Sequence, residues 1–493
     1  MPKFSFTGMP MLKILEPGQI EQIHETALSV LESCGVFFDS DEAIRILAEA
    51  GCGVDKEKKI AKFPRDLVIR CIELAPETFK LYSREGEFYT EVGGNTPNFY
   101  PGSCPANILE SDGVTVRNST IADMELIART AEFLPQMDFV STSVVCSEVP
   151  YELGDQYIYY TTIKNTTKPI IGGAVDIPGV WRTFELLKAI RGSEQEARKK
   201  PYTVFDICPA PPLKWSDISS ANIIDCAHYE IPIDFIALPM PGAGSPATLA
   251  GSLVQHTVET LSGLVLAQVI RPGLPCAYGG APVLFDMRTT YTPMAALEAN
   301  MISCGYALMG KYYGLPTHTY AVLSDAKVVD DQAGFESAMS GLLVAQSGIN
   351  IISGAGGLDV IGQQSLEKLV IDAEIIGLIK RFLRGIDVTD ESLARELICQ
   401  VGPGGDFLQT KHTRRWFKQE QYMPSPVLDR MDRASWESKG RVGILDRAKE
   451  RLEMIRQQPV KSLDDARQNA LDQALLDVAK DAGVEAKIEE LMR

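Results

Sequence analysis

Short apolar segments recur through the middle of the chain, and amphipathic segments separate most of them. Eight apolar segments start about 31 to 42 residues apart: NFYPGSCPANIL (98–109), DFVSTSVVC (138–146), PIIGGAV (169–175), YTVFDICP (202–209), IDFIALPMPGAG (233–244), PCAYGGAP (275–282), LPTHTYAVLSD (315–325) and INIISGAGG (349–357). Such alternation is typical of parallel strands that are buried on both faces. Eight units predict an α/β fold, a (β/α)8 TIM-like barrel. An open, doubly wound sheet is the alternative.

Helical periodicity dominates the two ends of the chain. Residues 17–82 have helical spacing in PGQIEQIHETALSVLESCG, in SDEAIRILAEAG with Ser40 as an N-cap, and in FPRDLVIRCIELAP. SLEKLVIDAEIIGLIKRFLRG has the pattern of the last barrel helix, and charged helical segments follow it. We therefore predict an N-terminal helical extension (1–92), a barrel (93–385) and a C-terminal helical region packed on the barrel (386–493). The long C-terminal helices also lead us to expect a homo-oligomer.

Composition and charge narrow the classes of partner. The 493 residues carry a net charge of -17 without a run rich in lysine or arginine, so we expect no nucleic-acid partner. The ten cysteines form no CxxC pair, which argues against a zinc cluster or a disulfide framework and suits a reducing cytoplasm. The first residues lack the pattern of a signal peptide, and no uncharged apolar run reaches the roughly 18 residues of a membrane span. We expect a cytoplasmic protein.

Glycine and proline crowd the ends of the predicted strands. The segments CPAPPL, PMPGAGSP, YGGAP and SGAGGLD stand where a barrel carries its active site, and they include Gly242, Gly244, Gly354 and Gly356. The GAGS sequence at 242–245 could bind an oxygen-rich ligand through backbone amides. Because no lysine follows it, a tight turn and helix cap is the favoured interpretation.

The sequence predicts no bound metal and no covalent nucleophile. The five histidines form neither HxH nor HExxH, and no GxSxG motif is present. His318 is the histidine of interest, because strand alternation places it on one face with Tyr320. A core histidine bonded to the backbone is the alternative.

Aromatic rings and charges collect at the predicted strand ends. Rings around a methylammonium group each contribute a cation–π attraction of roughly 0.5–2 kcal/mol, although the same rings could simply fill the barrel mouth. The candidates for contact with a substrate are Tyr100, Tyr278, Arg288, His318, Tyr320 and Gln332. The candidates for the mouth are Asp325, Lys327 and the four glycines Gly242, Gly244, Gly354 and Gly356.

Several long motifs resemble the trimethylamine methyltransferase family. They are GSPATLAGSLVQHTVETLSGLVLAQVIRPGLPCAYGGAPVLFDMRT, KYYGLPTHTYAVLSDAKVVDDQAGFESA, GAGGLD, EKLVIDAEIIGLIKRFLRGIDV and VGPGGDFLQTKHTRRWF. The resemblance implies a barrel that demethylates a methylated amine. It also implies that the methyl group passes to the Co(I) centre of cobalamin, supplied by a separate corrinoid protein docked over the barrel mouth.

One departure from that family bears on the substrate. Archaeal trimethylamine members carry pyrrolysine near the exit of the seventh strand, whereas the corresponding stretch here, LSDAKVVD (323–330), holds only ordinary residues. The chain thus resembles the non-pyrrolysine branch, whose substrates are quaternary amines such as glycine betaine, proline betaine and carnitine.

We expect methyl transfer from glycine betaine, which would give dimethylglycine. His318 or Arg288, assisted by backbone amides, would then bind the carboxylate. The alternatives are another betaine, a non-catalytic betaine-binding protein, and a lyase or aldolase that uses Lys327 as a Schiff base.

Overall fold

The computed structural model describes residues 12–492. Each of the eight predicted apolar segments contains a strand that pairs in parallel with a neighbour. The strands are β1 (Asn98–Pro101), β2 (Val140–Ser141), β3 (Ile170–Gly172), β4 (Thr203–Ile207), β5 (Ile233–Ala237), β6 (Cys276–Gly280), β7 (His318–Tyr320) and β8 (Ile351–Ala355).

The eight strands form two parallel sheets. One has the order β6-β5-β4-β3-β2 and the other the order β7-β8-β1. Between the sheets, Tyr278 on β6 donates its N–H to Pro316 O just before β7 (2.8 Å), and Asp138 before β2 donates to Phe99 O on β1 (2.7 Å). Because the last strand lies beside the first, the order differs from that of a doubly wound sheet, which reverses at a switch point.

A helix follows every one of these strands. The eight helices are Ile121–Phe133, Gly154–Asn165, Gly179–Arg191, Asp217–Tyr229, Leu249–Ile270, Leu297–Tyr312, Asp331–Gln346 and Leu366–Leu383, with Glu194–Lys199 as an additional short helix. Side-chain oxygens of Thr120, Ser216 and Thr248 cap three of them. Of the described residues, only Leu249–Ile270 is long and apolar enough for a membrane span, yet 83% of its apolar window is buried, so it is a core helix of this fold.

The N-terminal region is partly helical. The predicted helices form as Pro17–Ser33, Asp41–Glu49 and Arg65–Leu74, and Ser40 accepts a hydrogen bond from Ala43 N as an N-cap. The prediction that residues 17–82 are helical throughout is wrong, because short strands lie between and after these helices. They are Val36–Phe38, Gly53–Asp55 and Ile60–Lys62, which join Lys214–Trp215 in one sheet, and Thr78–Tyr82. The apolar VFF stretch favours a strand because aromatic and β-branched residues pack well on a pleated surface.

An antiparallel hairpin covers the amino ends of the barrel-region strands. It consists of Thr78–Tyr82 and Phe88–Gly93. Its side chains Phe79, Leu81 and Val92 belong to one buried apolar cluster. The other members lie on, or directly before, six of the parallel strands and are Tyr100, Phe139, Ile171, Val204, Ala277 and Ile351. The interior at this end of the strands is therefore apolar and packed.

The remaining elements are short or C-terminal. The short ones are Asn107–Leu109, Val116–Asn118, Gly357–Leu358, Gln363–Gln364 and the 3-10 turn Tyr151–Leu153. The C-terminal helices are Arg395–Val401, Lys411–Glu420, Arg433–Ser438, Ile444–Arg456, Asp465–Asp481 and Glu485–Leu491. Ile444–Arg456 packs on Leu366–Leu383, and Asp465–Asp481 packs on Gly179–Arg191.

Candidate active site

Polar side chains replace the apolar ones toward the carboxyl ends of the same strands. Asp206 on β4, Asp234 on β5 and Tyr320 on β7 lie near one another, and Asp206 and Tyr320 keep part of their surface accessible. Asp234 is fully buried behind them. The interior thus changes from a packed apolar floor to a partly accessible polar hollow, which we call the acidic hollow, lined by Asp206, Asp234, Tyr100, His318 and Tyr320.

His318 lies at the back of the acidic hollow. Its Nε2 is 3.1 Å from the Tyr100 hydroxyl, and its ring meets the Tyr320 ring edge-on with 5.2 Å between centroids. Burial lowers the pKa of His318 to about 3, so the imidazole is neutral near pH 7. Burial also raises the pKa of Tyr100, which keeps its proton and can donate it to Nε2.

The two aspartates are direct neighbours across a strand pair. Asp206 and Asp234 are register partners on β4 and β5. Burial raises the pKa of both carboxyl groups well above the ordinary range, and the charge of Asp206 raises that of Asp234 further. Oδ1 of Asp206 and both carboxyl oxygens of Asp234 are buried without a hydrogen-bond partner. Buried polar atoms normally have one, so these atoms mark a place where a ligand could bind.

Gly279 on β6 gives this cluster its room. A Cβ atom at position 279 would lie 2.3 Å from Asp234 Oδ1 and 3.0 Å from His318 Cβ. Any side chain there would displace the aspartate, the histidine or both. The glycine pair in YGGAP is thus required by the packing inside the strands, in addition to any role in the loop after them.

Strained backbone collects in the loops that follow the strands. Asp359, Val360 and Ile361 all have positive φ, at 52°, 57° and 59°, and so does Val322 directly after β7, at 58°. β-branched residues rarely adopt this conformation, and such strain concentrates at functional sites. Asp359 is held by the Tyr291 hydroxyl at 2.6 Å and by its own N–H to Ala326 O at 3.0 Å.

Three of the predicted substrate-binding residues lie together, and three do not join them. Tyr100, His318 and Tyr320 line the acidic hollow. Tyr278 faces the helices instead, where its hydroxyl donates to Thr257 Oγ1 (2.8 Å). The reason is strand parity, because its neighbours Ala277 and Gly279 take the inward positions on β6.

Arg288 and Gln332 lie on the outside of the protein. The Arg288 side chain is 88% exposed and pairs with Asp286 at 2.7 Å in the loop after β6. Gln332, in the first turn of Asp331–Gln346, donates to Glu336 Oε1. A contact between either residue and a substrate stays a prediction.

The predicted mouth residues hold loops in place. Asp325 accepts the N–H groups of Met294 and Ala295 (3.0 and 2.9 Å). Lys327 Nζ donates to Asp325 O (2.7 Å) and lies 4.8 Å from the centre of the Tyr291 ring. These contacts join the loops after β6 and β7.

The four glycines serve two different turns. Gly242, with φ of 90°, donates to Ser245 O, and the side chain of Gln255 donates to Gly244 O, so GAGS is a tight turn before a helix capped at Thr248. Gly354 has φ of 133°, and a Cβ there would lie 2.2 Å from Ala321 O. Gly356, with φ of 82°, donates its N–H to Asp372.

Asp206 and Asp234 are the residues that the sequence analysis missed. Each is a single aspartate inside an otherwise apolar strand segment, YTVFDICP or IDFIALP. An isolated aspartate in an apolar strand segment is the sequence signal that could have identified each of them as a site residue. Within residues 12–492, no group of three or more histidine, cysteine, aspartate or glutamate side chains is placed to hold a metal ion.

Comparison with known proteins identifies a family whose members match nearly the whole chain. A family model described as trimethylamine methyltransferase (MTTB) matches residues 3–481. Trimethylamine methyltransferase MttB of Methanosarcina barkeri (strain Fusaro / DSM 804) is 36% identical over 454 residues, which is 90% of each chain. Glycine betaine methyltransferase of Desulfitobacterium hafniense (strain Y51) is 31% identical over 449 residues, 91% of this chain and 93% of the relative.

One solved structure supports the fold. The crystal structure of the monomethylamine methyltransferase MtmB of Methanosarcina barkeri aligns with 92% of this chain and 90% of its own at a TM-score of 0.53. The two sequences are 12% identical, so this likeness concerns the fold alone.

Proposed function

Because the chain belongs to the trimethylamine methyltransferase family and is a methyltransferase, we propose that it moves a methyl group from a quaternary amine to Co(I) of a corrinoid on a separate protein. Glycine betaine is the substrate that we propose first, with dimethylglycine as the product. We further propose that the protein acts in the cytoplasm as a homo-oligomer.

We also propose that the two parallel sheets form one (β/α)8 barrel with the predicted boundaries 93–385. The hydrogen bonds from Tyr278 to Pro316 and from Asp138 to Phe99 support this, because they join both pairs of sheet edges. The helix after every strand supports it as well.

The acidic hollow is the observation that carries the proposal for a cationic substrate. Tyr320 supplies a partly accessible ring, worth roughly 0.5–2 kcal/mol to a methylammonium group, and Tyr100 lies buried behind it. Asp206 and Asp234 supply carboxyl groups whose ionised form a bound cation would stabilise, and the neutral His318 adds no opposing charge. A permanent cation fits this combination better than an anion or a neutral molecule.

A quaternary amine also suits the lack of an evident nucleophile. Its charge is permanent and its leaving group is a neutral tertiary amine, so neither a general acid nor covalent activation is needed. In the transfer, the bond from nitrogen to the methyl carbon breaks, its electron pair stays on nitrogen, and the electron pair of Co(I) forms the new bond to carbon. The residues of the hollow orient the amine and exclude water, and orientation can lower the barrier by several kcal/mol.

The ordinary residues at 323–330 support a quaternary amine over trimethylamine. Leu323 and Ala326 are buried, Lys327 bonds to Asp325 O, and Asp330 caps the following helix. Each of these four residues therefore packs in the core or holds the backbone in place. The glycine betaine methyltransferase among the relatives adds support at 31% identity.

Exposed apolar side chains lie in the loops that follow β2, β3 and β6. Large exposed apolar groups mark interaction surfaces, and a partner that receives the methyl group must reach this face. They include Val145, Tyr151, Val175, Ile177, Met287 and Tyr291. We propose that the corrinoid protein docks on these apolar side chains.

A substrate panel tests the proposed function. The purified protein, a corrinoid protein and a reductant that generates Co(I) are mixed with glycine betaine, proline betaine, carnitine or trimethylamine, and the cobalt absorption change and demethylated product are followed. We expect methylcobalamin and dimethylglycine with glycine betaine. Turnover of another betaine would correct the substrate alone, whereas turnover of trimethylamine alone would refute the quaternary-amine proposal.

The docking surface has its own test. Met287→Asp should reduce the rate of methyl transfer at low concentrations of the corrinoid protein and leave amine binding unchanged. The matched control is Met454→Asp, since Met454 is also exposed (45%, against 67% for Met287) but lies on Ile444–Arg456. Equal effects of the two variants would refute the proposed surface.

The lyase alternative is not supported by the geometry. The Lys327 side chain is 61% exposed and pairs with Asp359 at 3.2 Å. A Schiff-base lysine is typically buried so that its pKa falls.

A further inference from the structure

We propose that Asp206 and Asp234 share a proton when the acidic hollow is empty and release one proton when a quaternary ammonium ion binds. This inference rests on the proposed function and identifies how the same site recognises charge. Its basis is that two carboxyl groups lie in the same partly buried hollow and that three of their oxygens have no hydrogen-bond partner in the protein.

The first observation is that the two carboxyl groups are neighbours on one face of the sheet. Asp206 and Asp234 are register partners on adjacent parallel strands, so both side chains lie on the same face of the sheet, close enough for the charge of one to act on the other. Two like charges at this separation in a buried place cannot both form at low cost. One proton held between them removes that repulsion.

The second observation is that, within residues 12–492, no cationic side chain neutralises the pair. His318 Nδ1 lies 3.3 Å from Asp234 Oδ2, yet it forms no well-oriented hydrogen bond and its ring is fully buried. The other titratable groups around the pair are tyrosines and thiols, namely Tyr100, Tyr159, Tyr306, Tyr320, Cys104, Cys208 and Cys276. None of these is positively charged near pH 7, so compensation has to come from a proton or from a ligand.

The third observation is that the side chains around the hollow differ in their accessibility to solvent. Asp206 and Tyr320 retain accessible surface, whereas Asp234, Tyr100 and His318 are fully buried. A ligand that enters the hollow therefore meets Asp206 and the Tyr320 ring first, with Asp234 behind them. Its positive charge favours the ionised carboxylate, so the proton leaves to solvent.

This arrangement limits how strongly the enzyme holds its substrate. The positive charge on nitrogen disappears during methyl transfer, so a fixed double negative charge would stabilise the bound substrate more than the transition state. Because the pair reaches that double charge only by giving up its shared proton, the cost of losing the proton offsets part of the attraction and limits the excess. The two aspartates contact the cation and not the methyl carbon, so their loss should change KM more than kcat.

Proton release on binding is the direct test. Tetramethylammonium is titrated into the full-length protein by calorimetry in two buffers with different ionisation heats, at several pH values near neutrality. We expect close to one proton released per bound cation, and an affinity that rises by up to about tenfold per pH unit below the pKa of the pair. Asp206→Asn and Asp234→Asn should abolish the proton release and weaken binding at least tenfold, whereas the exposed control Asp55→Asn should do neither. Binding to wild type without proton release would overturn the proposal.

A second measurement needs no ligand. Infrared spectroscopy of the free protein near neutral pH should show the carbonyl stretch of a buried protonated carboxyl group, and the double variant Asp206→Asn, Asp234→Asn should lose it. An identical band in both proteins would overturn the shared proton even if the cation fails to bind. The proposed function fails separately, if a cation binds with proton release but no methyl reaches the corrinoid.

Discussion

Two buried aspartates in this protein have opposite surroundings. Asp372, on the last of the eight helices, is 1% exposed and accepts Lys368 Nζ at 2.6 Å and Gly356 N at 2.7 Å. Asp234 is equally buried, but neither of its carboxyl oxygens has a hydrogen-bond partner. Because an uncompensated buried acid costs stability, its presence indicates a functional site, while the compensated acid belongs to the scaffold.

The compensated pair supports the end of a strand beside the acidic hollow. Lys368 also donates to Ser337 Oγ (2.8 Å), and Asp372 holds the N–H of Gly356 just after β8. The same chemical group therefore fixes backbone in one place and stays available for a ligand in the other. Four experiments test this contrast.

Removal of the compensated carboxylate should have the largest effect. Asp372→Ala leaves Lys368 buried without its partner, so we expect the free energy of unfolding to fall by about 3–5 kcal/mol. The matched variant is Asp234→Ala, which removes a buried acid that has no partner and should leave stability equal or higher. Chemical denaturation measures both. Equal losses would show that Asp234 is also structural.

The pH dependence of stability should separate the two sites next. The pKa values of Asp206 and Asp234 are raised in the folded protein, whereas the unfolded chain ionises these groups near pH 4. As pH rises above about 4, the unfolded state gains by losing protons that the folded state keeps, so this contribution to stability decreases. The double variant Asp206→Asn, Asp234→Asn has no carboxyl groups at these positions, so its stability does not decrease with pH for this reason. Its advantage over wild type in urea denaturation should grow with pH, and a constant difference would contradict the raised pKa values.

A smaller effect should distinguish the two tyrosine environments. Tyr320→Leu removes a ring of the hollow and should weaken binding of a quaternary amine by about 0.5–2 kcal/mol, or roughly twofold to thirtyfold. Tyr278→Phe should leave that affinity unchanged. It should lower the free energy of unfolding by about 1 kcal/mol, because it removes the hydrogen bond to Thr257. Calorimetry and denaturation of both variants measure this difference, and a loss of affinity in Tyr278→Phe would contradict the assigned faces of β6.

The smallest effect is expected at the solvent-exposed ion pair. Arg288 is 88% exposed and bonded to Asp286, so Arg288→Ala should leave stability unchanged and keep KM for glycine betaine within about twofold of wild type. Steady-state kinetics with glycine betaine and tetramethylammonium test this. A large increase in KM for the carboxylate-bearing substrate alone would show that the loop brings Arg288 to the ligand.

The sequence was sufficient where the signal is local. All eight strand segments and most of the helices between them follow from apolar runs and periodicity, and Ser40 was identified as a cap from its position before an amphipathic segment. The strands Val36–Phe38 and Ile60–Lys62 were missed, because three-residue strands are too short to show a period.

The contents of the hollow depend on information that one strand does not carry. A strand buried on both faces shows no polar alternation, so the outward direction of Tyr278 was not readable from PCAYGGAP. The pairing of Asp206 with Asp234 depends on the register between β4 and β5, whose segments are about 30 residues apart. His318 was readable because Tyr320, two residues later, marks the same face.

The hairpin of Thr78–Tyr82 and Phe88–Gly93 determines the order in which the amine and the partner protein bind. It fills the amino ends of the strands, so in the part of the chain from 12 to 492 the hollow opens toward the opposite face, where the proposed partner docks. The amine must therefore enter before the partner covers that face, and the demethylated product must wait until the partner leaves. Turnover would follow a compulsory sequence, and a large excess of the partner would slow the enzyme by trapping it empty.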